Sequence, residues 1–232
     1  MTKINRWLVL LAATVMLAGC GGKDARPFDI KNLGKSDIDL VTDAHIRELK
    51  ALTRELTIKL YKRNPVELSK APAGMTVEKR LFQLFSTPKQ QQFDELNNRY
   101  GNDAIELLFD ENYTGDRVFA LMTGLVGMLH KSYNEQEEFF LLDSLDQQKI
   151  YNSARNIEVV AWRLSNRKKA DGTPFLLTNG IDEHGIVNYS YERMFGKLIS
   201  LQDMMATLVA DGSNRAINRV VHGAASMTLL PI

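Results

Sequence analysis

The sequence predicts an all-α protein, a single multi-helix domain of about seven or eight helices with one short β-hairpin excursion at 174–189. Three observations predict it. From Thr42 onwards apolar residues recur at spacings of three and four, the period of a helix face. Two tetrads, Thr87-Pro88-Lys89-Gln90 and Ser144-Leu145-Asp146-Gln147, have the form of a capping box, in which a hydroxyl and an amide side chain satisfy the first free N–H groups of a helix. And "VFALMTGLVGML", Val118 to Leu129, runs without a charge, too short to span a bilayer and suited to a helix buried all round.

Taken in order, residues 1–19 read as a signal peptide. Lys3 and Arg6 give a positive start to "WLVLLAATVML", Trp7 to Leu17. A helical span needs ~20 apolar residues, and a shorter run is the core of a secretory signal. Ala18 and Gly19 then precede Cys20, the single cysteine of 232 residues. Leu17-Ala18-Gly19-Cys20 resembles the lipobox of bacterial lipoproteins. The resemblance implies that the Cys20 thiol carries diacylglycerol, that the signal is cut before it, and that the new amino group is acylated, with palmitate-type chains as the anchor. The alternatives are an ordinary signal peptide with an incidental cysteine, or a buried N-terminal helix; the order of charge, apolar run, small residues and cysteine favours the lipobox. One acyl chain binds a membrane marginally, at ~0.8 kcal/mol per buried methylene, whereas two or more hold it stably. Gly21 stands where aspartate would resemble an inner-membrane retention signal, so the resemblance implies the outer membrane and a body facing the periplasm. A lipidated Cys20 leaves no thiol for a disulfide, and stability must come from the core.

Without residues 1–19 the chain keeps 27 basic and 28 acidic residues. That balance lacks the basic footprint of a nucleic-acid binder. Residues 20–40 read as the lipidated cysteine and a flexible linker, polar, with three glycines and a proline among Gly21–Asp39. Those nineteen residues reach ~60 Å at most, at ~3.3 Å each. The helical domain occupies 41–232. Its first helix is expected to about Lys62, with Ile46, Leu49, Thr53, Leu56 and Leu60 on one stripe and Arg63-Asn64-Pro65 as the stop. Others are expected at 76–85, from Thr87 to a stop at Gly101, at 103–110, 116–134, 144–167, 190–210 and 214–227. No repeat of tetratricopeptide period is present.

Within the buried helix, Ala120, Gly124 and Gly127 leave a bare flank. Close packing against another backbone is the expected use, a ligand cradle the alternative; the glycines do not open a helix after a strand as a nucleotide fingerprint requires. In "IYNSARNIEVVAWRLS", Ile150 to Ser165, one stripe holds Ile150, Ala154, Ile157, Ala161 and Leu164, and Tyr151 and Trp162 turn towards a second neighbour. Glu158 falls between the two groups, either paired with Arg155 one turn earlier or acting as a partly desolvated pocket acid.

Four histidines remain to be placed. His45 lies near the start of a polar-faced helix, where "HIRE" alone is no metal signature, and His222 reads as a packing residue. His130 ends the buried stripe, where a hydrogen-bonded core histidine competes with a base or ligand. His184 belongs to "GIDEHG", where Asp182, Glu183 and His184 form the densest non-helical cluster of ionisable groups. "PFLLT" and "GIVNY" flank it as the arms of the expected hairpin. Three adjacent side chains on extended backbone alternate in direction and make a poor metal cage, so recognition is the expected role. No histidine lies four residues from another, and no C-x-x-C or G-x-S-x-G occurs. No catalytic residue, metal or cofactor is assigned.

The stretches "KLYKRNPVEL", "GDRVFALMTGLVGMLH" and "LDSLDQQKIYNSARNIEVVAWRLS" resemble an uncharacterised group of proteobacterial lipoproteins across most of the domain. The resemblance implies the lipoprotein address and adds no catalytic residue. The expectation is a non-enzymatic lipoprotein on the periplasmic face of the outer membrane, held by its lipid and binding or helping assemble an envelope protein partner, with no nucleic acid. The alternative is a small-ligand-binding protein or enzyme with a pocket near His130 and Glu158 or the 182–184 loop.

Overall fold

The computed structural model describes residues 34–86, 92–140, 142–181, 185, 187–213, 217 and 228–232. The chain divides between Lys35 and Ser36, and every helix named below belongs to the compact unit Ser36–Ile232. Among the described residues it holds seven α-helices: α1 (Asp37–Arg63), α2 (Pro65–Ser69), α3 (Val77–Phe85), α4 (Asn102–Leu108), α5 (Arg117–Ser132), α6 (Gln147–Asn166) and α7 (Ser190–Ser213). Two short strands, β1 (Gly180–Ile181) and β2 (Val187–Asn188), pair antiparallel with Ile181 opposite Val187. The all-α class with a small hairpin is thus present. The helix expected at 214–227, apart from residue 217, and the helix start at Thr87 lie outside the described residues.

Helix α5 is the centre. Val118, Phe119, Ala120, Leu121, Met122, Leu125 and Met128 have no exposed surface, as a charge-free helix requires. It touches α4, α6, α1 and α3, while α7 lies along α6 and α1. The bare flank does what close packing needs. A Cβ built on Gly124 would sit 2.7 Å from the Ile105 backbone nitrogen and 2.8 Å from the Gly101 carbonyl, and one on Gly127 would meet the Tyr100 ring. Helix α4 therefore lies on α5 at backbone distance.

Helix α1 starts five residues before the first recurrent position, Thr42, and takes the end of the expected linker into the fold. Ser36 and Asp39 close its first turn: the Asp39 N–H donates to the Ser36 hydroxyl, and the Asp39 carboxylate accepts the Ser36 N–H and O–H, each at 2.7 Å. An aspartate thus fills the role that a capping box usually gives to glutamate or glutamine. The buried threonines of α1 satisfy their hydroxyls four residues back, Thr53 on the Leu49 carbonyl and Thr57 on the Thr53 carbonyl, both at 2.7 Å.

Three other boundaries differ from expectation. The part of the expected 87–101 helix that is described is one 3-10 turn, Asp94–Leu96, because Asn97 and Asn98 take left-handed backbone with φ of 51° and 57°. Gly101 does not close a helix but opens α4 with φ of 61°. Helix α6 begins at Gln147 and not at Ser144, since the Asp146 carboxylate, and not the Ser144 hydroxyl, accepts the N–H groups of Gln148 and Lys149.

The arms of the hairpin are corrected as well. "PFLLT" does not pair with "GIVNY"; the pairing is Gly180–Ile181 with Val187–Asn188. Phe175 and Leu176 enter the core, where Phe175 stands edge-on to Phe109 at 5.6 Å. The backbone of Leu177 is held by Asn64, whose side chain accepts its N–H at 2.7 Å and donates to its carbonyl at 2.9 Å. Burial of two large apolar side chains outcompetes two more rungs of ladder.

Candidate functional site

Of the side chains singled out in the sequence, His130 and Glu158 are described; Cys20, Asp182, Glu183, His184 and His222 lie outside the described residues. His130 occupies the last turn of α5 and is partly exposed. It lines a cleft with Ile46, Leu49 and Thr53 of α1, Phe85 at the end of α3, and Val126 and Leu129 of α5. The remaining wall is Lys50, Tyr133, Gln136 and Glu137, with the Lys50 ammonium 3.4 Å from the Glu137 carboxylate. The cleft exists because the apolar stripe of α1 meets the end of α5 where that helix stops being charge-free. Its volume is ≈ 40 Å³, about a tenth of the ~300–1,000 Å³ of ordinary ligand sites. As formed it has room for a few atoms against an apolar wall beside one imidazole.

Glu158 does not join that cleft. It pairs with Arg155 one turn earlier on α6 at 3.1 Å, and the same guanidinium reaches Asp203 of α7 at 2.6 Å and lies over the Tyr151 ring. Its side chain is 39% exposed. This is the structural pairing weighed in the sequence, with Asp203 added, and such half-exposed pairs contribute little to stability. Trp162, expected against a second neighbour, is substantially exposed. His45 is buried, with Nδ1 3.2 Å from the Val41 carbonyl.

The structure also gathers charges that sequence reasoning missed. Arg80 of α3 is wholly buried, and its guanidinium holds Glu95 by two bonds of 2.6 Å. The same group stands 3.3 Å from Asp116 and 3.7 Å from the centroid of the Phe119 ring. Asp116 accepts the Tyr61 hydroxyl at 2.7 Å and, as the N-cap of α5, the Phe119 N–H at 2.9 Å. Burial raises the Asp116 carboxyl above its ordinary range against the pull of these donors, and burial together with the Asp116 charge lifts the Tyr61 phenol well above its own. Nearby, the guanidinium of the buried Arg117 donates to the carbonyls of Leu108, Asp110 and Tyr113, closing the end of α4.

With Tyr61, Arg80 and Asp116 buried and bonded to one another, the cluster ties α1, α3, the 3-10 turn and α5 together. The signal available in the sequence was Arg80 itself, three residues after Val77 and four before Leu84, on the apolar face of its helix. A charge on that face must find a partner.

Among the described residues no three His, Cys, Asp or Glu side chains gather as metal ligands, and no helix is long and apolar enough to cross a membrane. Compared with known proteins, the chain matches no family model, no curated sequence and no solved structure.

Proposed function

We propose that the chain is an outer-membrane-tethered periplasmic lipoprotein, non-enzymatic, whose helical body binds or helps assemble an envelope partner. The observation that carries this reading is the run Leu17-Ala18-Gly19-Cys20 behind a short charged-then-apolar segment. The start of the compact unit at Ser36 fits it, since the residues between Cys20 and that point could bridge up to ~50 Å. Cys20→Ala should release the protein from the membrane fraction or leave the signal uncleaved. Wild-type partitioning of that variant, with no acyl mass on residue 20 of the native chain, sinks the reading.

Partner recognition is assigned to Asp182, Glu183 and His184, the ionisable cluster of "GIDEHG". Joint replacement by alanine should leave the melting temperature nearly unchanged, as for exposed side chains away from the core, and should weaken capture of the envelope partner that wild type retains. A second reading, a small-ligand site, draws support from the cleft beside His130. It expects a small apolar probe to stabilise the protein and Val126→Phe, which fills the cleft, to abolish that effect.

A further inference from the structure

Thr228–Ile232 lies against α4 and α6 and is gripped by asparagine side chains. The Leu230 N–H donates to Asn156 Oδ1, and Asn156 Nδ2 donates back to the Leu230 carbonyl at 2.9 Å. Asn102 Nδ2, from the first residue of α4, donates to that same carbonyl at 2.8 Å. One turn before Asn156 on α6, Asn152 Nδ2 donates to the Pro231 carbonyl at 2.9 Å. Leu229 and Ile232 pack against the core, while Thr228 and Pro231 stay exposed.

Two features mark this as recognition chemistry. All four bonds run between an asparagine amide of the body and the backbone of the tail. They read a peptide unit, as the added strand of a sheet is read, and leave selectivity to the two apolar side chains. The asparagines also stand where the helix itself does not favour them. Asparagine is a poor helix former, yet Asn156 is wholly buried and Asn152 nearly so, in the middle of α6. With the tail gone, the Asn156 carbonyl would lose the Leu230 N–H, and its amide would keep only a long 3.5 Å approach to Asn102.

We propose that Asn102, Asn152 and Asn156 form a binding site for an extended apolar peptide segment, occupied in cis by residues 228–232. The ligand class follows from the resident: apolar side chains three residues apart, as Leu229 and Ile232, around a peptide unit with a free N–H and carbonyl. A partner presenting such a segment must displace the tail. The inference goes beyond the reading above, giving the body a partner contact of stated chemistry at residues other than Asp182, Glu183 and His184; because it concerns the body alone, the outcome at Cys20 leaves it standing or falling separately.

The test uses the full-length chain, its Leu230→Pro variant, and a fluorescein-labelled peptide Thr-Leu-Leu-Pro-Ile read by anisotropy. Proline at 230 removes the N–H that Asn156 accepts and frees the groove. In wild type the tethered tail competes at an effective concentration on the order of millimolar, so the peptide should bind the variant at least about tenfold more tightly. Asn156→Ala added to Leu230→Pro should abolish that gain. Equal binding to wild type and to a folded Leu230→Pro chain overturns the proposal, as does binding indifferent to Asn156→Ala. If Leu230→Pro does not fold alone, recovery of helicity on adding the peptide supports the site, and failure to recover makes the tail a fixed structural strand and overturns it.

Discussion

Asn64 and Asn156 do the same work for two different segments of the chain. Each uses its side-chain amide as a peptide unit, accepting one leucine N–H and donating to that leucine's carbonyl: Leu177 for Asn64, Leu230 for Asn156. Backbone that belongs to no helix is thereby satisfied without a sheet, which buried segments require. Asp116 solves a different problem, that of a carboxyl group kept from water. Burial raises its proton affinity in the folded chain above that of an unfolded one. The sign follows from linkage: the folded state holds the proton more tightly, so this contribution is fully present below the ordinary carboxylate range and is lost as pH rises from there through the raised value of the folded chain. Asp116→Asn keeps an acceptor for Phe119 and Tyr61 and removes the titration. The stability of wild type minus that of Asp116→Asn, from urea unfolding at a series of pH values, should therefore fall as pH rises from about 4 towards neutrality. A difference that grows with pH would mean that Arg80 and the other donors outweigh burial.

At the scale of elements, the contact of α4 with α5 is set by two glycines of unequal stringency. A side chain at Gly124 meets backbone, the Ile105 nitrogen and the Gly101 carbonyl, whereas one at Gly127 meets the Tyr100 ring, which can swing. Gly124→Ala should lower stability by the ~1–3 kcal/mol of overpacking or more, and Gly127→Ala by less. Thermal unfolding of the two variants side by side checks the order, and equal losses would remove the backbone-contact argument. This pair was legible in the sequence because a charge-free helix with small residues on one flank has few other uses. The same holds for α1, α6 and α7, where the apolar period persists over many turns. Boundaries were legible only where the cap was the strongest local competitor. At Ser144 it was not, since Asp146 offered a carboxylate two residues later; at Asn97 and Asn98 left-handed backbone ended what the period alone would continue. The hairpin arms were misread because burial of Phe175 and the grip of Asn64 are tertiary facts.

For the molecule as a whole, the proposed address rests on a contiguous pattern, and no site does. Lys3, Arg6, the apolar run, the small residues and Cys20 follow one another, so their order can be read directly. Asn102, Asn152 and Asn156 meet residues 228–232 only through the topology, and Arg80 meets Asp116 across thirty-six residues. Chemistry assembled from distant positions leaves at most an odd residue type on a helix face as its trace. The same separation bears on how the chain holds together. Its one cysteine precedes the compact unit Ser36–Ile232, so the fold rests on its core and on its caps. A chain beginning at Lys35 keeps the Ser36–Asp39 box and should melt as the longer chain does. One beginning at Leu40 loses the cap that satisfies the first turn of α1, worth ~0.5–2 kcal/mol. For a protein of this size a kilocalorie moves the midpoint by roughly 2–4 °C, so a fall of a few degrees is expected by calorimetry. Both shortened chains lack Cys20 and should stay out of the membrane fraction alike. If the Lys35 start already lowers the midpoint, residues before Ser36 belong to the folded body; if the Leu40 start does not, the cap is idle and α1 is held by packing alone.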